Sequence, residues 1–189
     1  FVLQNQFDKP TALFNNPTAT FVMDGDKWIC GSRSGYEIFC FQKLAENFIW
    51  EGLLTVEGMG KFGLVTDMDD KGNGYFISFN VRNRQVQIRA WGFNPMNNKQ
   101  NFIFNDVQSG FFSSVNENSF RFRLIRYGHY IELSIDDIVI LTLMDYTYSY
   151  GDIGLYSSSS TISLQQSIIK LLPLPEEEYA SQEEAQKFE

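Results

Sequence analysis

An all-β fold, an antiparallel two-sheet jelly-roll sandwich, is what this sequence predicts, and three observations carry that reading. Aromatic residues make up 16% of the 189-residue chain, with 18 Phe and 9 Tyr, and such side chains fit a pleated, half-buried surface. Turn-forming residues interrupt the chain roughly every eight to fifteen positions, the rhythm of short antiparallel strands and not of alternating strand and helix units. Segments rich in Ala, Leu, Glu and Lys at helical spacing are scarce until the C-terminal end.

In chain order the breaks are "NNP", "DGD", "GSRSG", "EGMGK", "DMDDKGNG", "VRNRQ", "NPMNN", "NEN", "YGH", "IDD" and "SSSS". Between them "FVM", "KWICG", "YEIFCF", "FIWEGLLTV", "FGLVTDM", "YFISFNV", "QVQIRAWGF", "NFIFN", "FRFRLIRY", "YIELSI", "IVILTL", "DIGLYS" and "TISL" read as strands. Reading "SRSG" as a hairpin turn sets Cys30 across from Glu37, so Cys30 and Cys40 do not sit opposite each other and are expected to be free or buried thiols. "LLPLP" ends the sandwich, because proline neither continues a ladder nor starts a helix comfortably. We therefore expect a sandwich domain over 1–173 and an acidic linker or short helical tail over 174–189.

Hydrophobic residues at 43% allow one sizeable core. The net charge is −8, of which "EEEYASQEEAQKFE" carries −5, leaving −3 on the body. A nearly balanced body lacks the clustered cations that displace phosphate counterions or bind anionic lipid, so neither nucleic acid nor membrane is an expected partner. No apolar run reaches the length a bilayer requires, and "FVLQNQF" is neither basic nor long enough to be a secretory signal. The chain starts without Met, which reads as an excised piece.

"YFISFNVRNRQVQIRAWGF" is the most informative stretch. With Asn83 and Arg84 as a two-residue turn, Val81, Phe79 and Ile77 pair with Val86, Ile88 and Ala90 on a core face. The other face pairs Arg82 with Gln85, Asn80 with Gln87, Ser78 with Arg89 and Phe76 with Trp91. A wet outer sheet face explains each polar residue singly. Taken together, planar guanidinium and carboxamide groups can bridge sugar hydroxyls, and an indole can stack on a sugar's C–H face. On this argument the candidate ligand-binding residues are Arg82, Gln87, Arg89 and Trp91, with Tyr75 as a neighbour, and the expected ligand is an oligo- or polysaccharide.

Other constellations are weaker. Asp67, Asp69 and Gly72 match the opening of a calcium loop, but Lys71 stands where an oxygen ligand belongs and Ser78 where the closing Glu should be. A polar hairpin loop is the first reading and a differently built calcium site the second; no cofactor is expected. Glycosidase chemistry needs paired carboxyls, and Glu51, Asp67, Glu132, Asp136 and Asp145 are the strand candidates. His129, the one histidine, follows Gly128 and reads as a turn residue. No catalytic residue is assigned.

The segment "SFRFRLIRYGHYIELSIDDIVILTLMDYTYSYGDIGLYSSSSTISLQQSIIKLLP" resembles the final strands of laminin-G-like, concanavalin A-type sandwiches attached to glycoside hydrolases, and "NFIWEG" and "DMDDKGNGYFISF" resemble their earlier strands. Within that superfamily it is similar to the sandwich of glycoside hydrolase family 32, whose strand pair "IELSIDDIVILTL" resembles, and to family 66 carbohydrate-binding modules. The catalytic motifs of that hydrolase family, N-D-P-N-G, R-D-P and E-C, are absent from the sequence. The resemblance thus implies a carbohydrate-binding or supporting module of an extracellular, cell-surface or periplasmic enzyme, with fructan as one substrate and a catalytic domain as partner. The alternatives are a glycoside-cleaving enzyme on a similar sandwich and a domain that only packs against its neighbour.

Overall fold

The computed structural model describes residues 2–4, 10–44, 47–58, 60–93, 102–113 and 118–173. Thirteen strands lie among them: β1 (Val2–Gln4), β2 (Thr11–Ala12), β3 (Ala19–Asp24), β4 (Lys27–Leu44), β5 (Phe48–Glu57), β6 (Lys61–Met68), β7 (Gly74–Asn80), β8 (Gln85–Phe93), β9 (Phe102–Phe111), β10 (Ser119–Tyr127), β11 (Tyr130–Ile135), β12 (Ile138–Met144) and β13 (Gly151–Leu171). All the pairings are antiparallel. The described residues form an all-β, concanavalin A-like sandwich.

Its two layers share two long strands. In the first half of β13, residues 152–158 pair with β6, which continues through β7 and β8 to β9. In the second half, residues 161–171 pair with β5, which continues through β10 and β11 to β12. β4 follows β13 through both layers, its Trp28–Ser32 end opposite 160–164 and its Tyr36–Leu44 end opposite 151–158. Hydrogen bonding is therefore continuous around the molecule, although the side chains pack as two stacked layers.

The crossing is made by local irregularity in both strands. β13 shifts register between Ser158 and Ser160, with Ser159 at φ 55°, and Gly35 on β4 has φ 70°. Two expected breaks are thereby corrected: neither "SRSG" nor "SSSS" ends a strand. Small hydroxylated residues allow the chains to bend where they pass from one layer to the other, since Ser32 Oγ donates to Gly35 O and Ser157 Oγ to Ser160 O. Glu37 accordingly does not face Cys30. It lies on the same strand, and its buried carboxylate accepts the backbone N–H groups of Phe14, Asn16 and Ile38.

Period-two patterning built the interior. β5 alternates buried and half-buried side chains along its length, and β10 does nearly the same. The inward side chains of both layers form one cluster that includes Trp28, Trp50, Phe62, Tyr75, Phe79 and Phe120. Within it Phe62 stacks on Phe79 at 5.6 Å, and Phe79 lies 5.0 Å from Phe120 in the opposite layer. Burying each such ring contributes on the order of 1.5–3 kcal/mol.

The β7–β8 hairpin corrects the expected turn. Residues 81–84 form it, and Asn80 pairs with Gln85, Ser78 with Gln87, and Phe76 with Arg89. Asn80 Oδ1 accepts the Arg82 N–H and Asn83 Oδ1 the Gln85 N–H, side-chain bonds that hold a four-residue loop with Arg84 at φ 57°. The register moves by two residues, so every side chain keeps the face that alternation assigned to it. The expected turns "NPMNN" and most of "NEN", and the tail 174–189, lie outside the described residues.

Candidate functional site

The outer face of the first layer carries a second apolar cluster, of Ile38, Cys40, Val65, Met68, Phe76, Trp91 and Tyr156, with Leu13 packed against it. These residues alternate with core residues on β4, β6, β7, β8 and β13, so the first layer is apolar on both faces. Trp91 lies 4.3 Å from Phe76, and Phe76 meets Tyr156 edge-on at 5.0 Å. Tyr36 stands edge-on against Trp91 at 5.4 Å and is 43% exposed, whereas Trp91 is only 4% exposed.

Polar groups border this aromatic floor. Arg89 donates from Nη2 to Gln87 Oε1 at 2.9 Å, which orients the guanidinium alongside the carboxamide. Ser78 Oγ and Tyr156 Oη share a hydrogen bond. Burial pushes the Tyr156 phenol up to about 12, against the opposing effects of the Ser78 hydrogen bond and the positive charge of Arg89. A planar fork, a carboxamide and a serine hydroxyl thus sit beside one exposed ring on a rigid base.

Of the five residues singled out in the sequence, three share this face: Gln87, Arg89 and Trp91. Tyr75 does not belong with them. It is fully buried on the core side of β7, as its even spacing from Ile77 and Phe79 requires. Arg82 is exposed in the turn, separated from Trp91 by most of β8, roughly 20 Å at about 3.3 Å per residue. Trp91 forms part of the floor, and Tyr36 offers the accessible ring. Sequence reading placed Tyr36 at the start of the strand "YEIFCF" but had no local signal to bring that strand against Trp91, while alternation from Leu155 could have assigned Tyr156 to the outer face.

Four of the five carboxylate candidates, Asp67, Glu132, Asp136 and Asp145, are engaged elsewhere. Arg126 Nε lies 3.0 Å from Asp67 Oδ2, with the two side chains 2% and 6% exposed. Its other nitrogens donate to Gly128 O and Tyr148 O, each at 2.7 Å, and its guanidinium lies over the Tyr75 ring. Asp145 accepts the Tyr75 hydroxyl and the Thr147 N–H. Burial disfavours the Asp145 carboxylate, yet the hydrogen bonds from Tyr75 and Thr147 and the charge of Arg126 hold its pKa below the usual range. Asp136 Oδ1 accepts the Arg121 N–H, and Tyr130 donates to Glu132.

His129 occupies the β10–β11 turn, its ring 4.3 Å from that of Tyr146. In the loop before β7, Asp69 accepts from Lys71 N, Asn73 N and Asn73 Nδ2, which makes it the organiser of a hairpin loop. Among the described residues no group of three His, Cys, Asp or Glu side chains is arranged to hold a metal ion. Cys30 and Cys40 are both free and buried, one in the core and one in the outer cluster.

No protein-family model and no curated protein matches the chain. Among solved structures it is similar to the carbohydrate-binding module CBM66 from Bacillus subtilis, with a TM-score of 0.70 and 16% identity over 86% of this chain and 95% of that one. A legume lectin-like domain from Entamoeba histolytica gives 0.58 and 14% over 87% and 91%. The carbohydrate recognition domain of Emp46p in its potassium-bound form gives 0.56 and 10% over 80% and 85%. At such identities the likeness is one of fold, over 80–87% of this chain.

Proposed function

We propose that this chain is a carbohydrate-binding module that receives a sugar unit on the outer face of its first layer. The observation that carries the reading is the exposed Tyr36 ring standing against buried Trp91, which follows the Arg89–Gln87 fork along the same face of β8. Saccharides present hydroxyl arrays and weakly apolar C–H faces, and these two elements answer one each. The solved structures of similar fold include a carbohydrate-binding module and lectin-like domains, which supports the class of ligand. The finer reading is of an accessory module in an extracellular glycoside hydrolase, with fructan as the first glycan to try. The family 32 and family 66 resemblance supports it.

A glycan array probed with the intact chain selects the glycan, and isothermal titration then measures it. Arg89→Ala removes hydrogen bonds from a charged donor, each contributing about 1.5–3 kcal/mol, so affinity should fall about tenfold or more. Tyr36→Ala should produce a loss of similar order through the missing stack. Equal affinity in both variants would remove this face from the site, and an array without a hit would leave a packing domain as the better description.

A further inference from the structure

The opposite side of the molecule carries a separate polar cleft of about 170 Å3 on the outer face of the second layer. Its centre is a row across three strands, since Arg123 of β10 lies in register with Glu51 of β5 on one side and Ser134 of β11 on the other. Arg121, Asp137 and Gln166 complete the polar wall, and Ile168 supplies an apolar one. Two backbone irregularities converge here. β13 shifts register between Gln165 and Ile168, with Gln166 at φ 52°, and β11 shifts against β12 between Leu133 and Ser134. Bulges of this kind re-aim side chains next to binding sites more often than they occur at random.

Oppositely charged residues in register on adjacent strands ordinarily pair. Glu51 and Arg123 do not: Arg123 Nε is buried with no hydrogen-bond partner, and Ser134 Oγ is likewise without one in a residue only 1% exposed. Leaving such groups unsatisfied costs about 1–3 kcal/mol each. A fold that splays a donor fork and a carboxylate apart beside an orphan hydroxyl is arranged for a ligand that both donates and accepts.

We infer that this cleft is a second binding site, for a neutral sugar ring. Two cations, Arg121 and Arg123, are balanced by two anions, Glu51 and Asp137, so the cleft does not favour a charged ligand. Vicinal hydroxyls can accept from Arg123 while donating to Glu51, with one ring face against Ile168. The cleft stands on its own geometry and not on the first-layer site, so the two can succeed or fail separately. With both occupied, one chain would bind a polysaccharide from opposite faces.

The test is a backbone-amide NMR titration of the intact chain with D-glucose, D-galactose, D-mannose and D-fructose in turn. We expect saturable shifts around Glu51, Arg123, Ser134 and Gln166 with at least one of them. Arg123→Ala should weaken those shifts at least tenfold while resonances near Arg89 respond as in the parent chain. Ser134→Ala serves as a second variant, since deleting an unsatisfied hydroxyl should leave the fold intact and still weaken binding. Shifts confined to the Tyr36 and Arg89 face would overturn the second site and leave the first standing. Shifts confined to the cleft would do the reverse, and none with any sugar would mark the cleft as hydrated surface only. Cleft shifts that persist unchanged in both variants would also overturn the proposal.

Discussion

Tyr75 and Tyr156 are one residue type used on opposite faces of the same layer, and their titration shows that both faces are buried there. Burial first, and then donation to Asp145, push the Tyr75 phenol up to about 12, outweighing the Tyr148 N–H and Arg126, which favour the phenolate. Tyr156 reaches about 12 although it faces outward in the pleat, because Phe76 and Trp91 bury it. In the unfolded chain both phenols titrate near 10. Below that pH each contributes its full share of stability. Between about 10 and about 12 the unfolded state binds fewer protons than the native one, so stability must fall as pH rises. Urea midpoints measured across that window should decline steeply in the parent chain and less steeply in Tyr156→Phe. An unchanged slope in that variant would mean that the outer cluster is open to water.

At the scale of elements, the crossing between layers depends on one residue in each long strand. Ser159 sits at φ 55°, where an L-residue with a branched Cβ is strained by about 1–2 kcal/mol. Ser159→Val should therefore lower stability by about that amount in chemical denaturation, while Ser159→Gly should be neutral or slightly stabilising; equal midpoints for Val and Gly would show that the kink is not imposed there. The same place marks the limit of what was legible from sequence. Alternation identified strands, core faces and the shared face of Gln87 and Arg89 correctly even where the hairpin register was off by two, because a two-residue slip preserves facing. "GSRSG" and "SSSS" were opaque, since small polar residues are common both in turns and in strands that bend. Trp91 looked like a platform because nothing local reveals that β4 and β13 lay Tyr36 and Tyr156 on the same face. That face was assembled by pairings across more than a hundred residues, such as Tyr156 with Ile38.

For the whole molecule, shared strands and one buried ion pair should make the two layers unfold as a unit. β4 and β13 belong to both layers, so neither layer can melt without breaking a strand of the other. Arg126 adds a direct tie: it projects inward from β10 in the second layer to Asp67 at the end of β6 in the first, and it also satisfies the carbonyls of Gly128 and Tyr148. Truncating one partner of such a pair leaves a buried charge uncompensated, at a cost of about 3–5 kcal/mol. Arg126→Met should lose that much in urea denaturation. Asp67→Asn combined with it should recover part of the loss, because no charge is then left buried and Asn tolerates the φ of 55° at that position. The parent chain's stability should change little with added salt on account of this pair, which lies out of reach of counterions. Trp28, in the second-layer part of β4, and Trp91, on β8 in the first layer, allow both layers to be followed separately through single-tryptophan variants. Their transitions should coincide in the parent and in Arg126→Met alike. Separate midpoints for the two reporters would show that the shared strands do not couple the layers, and coupling of less than about 0.5 kcal/mol in the Arg126–Asp67 cycle would show that the pair is not what ties the layers together at that end.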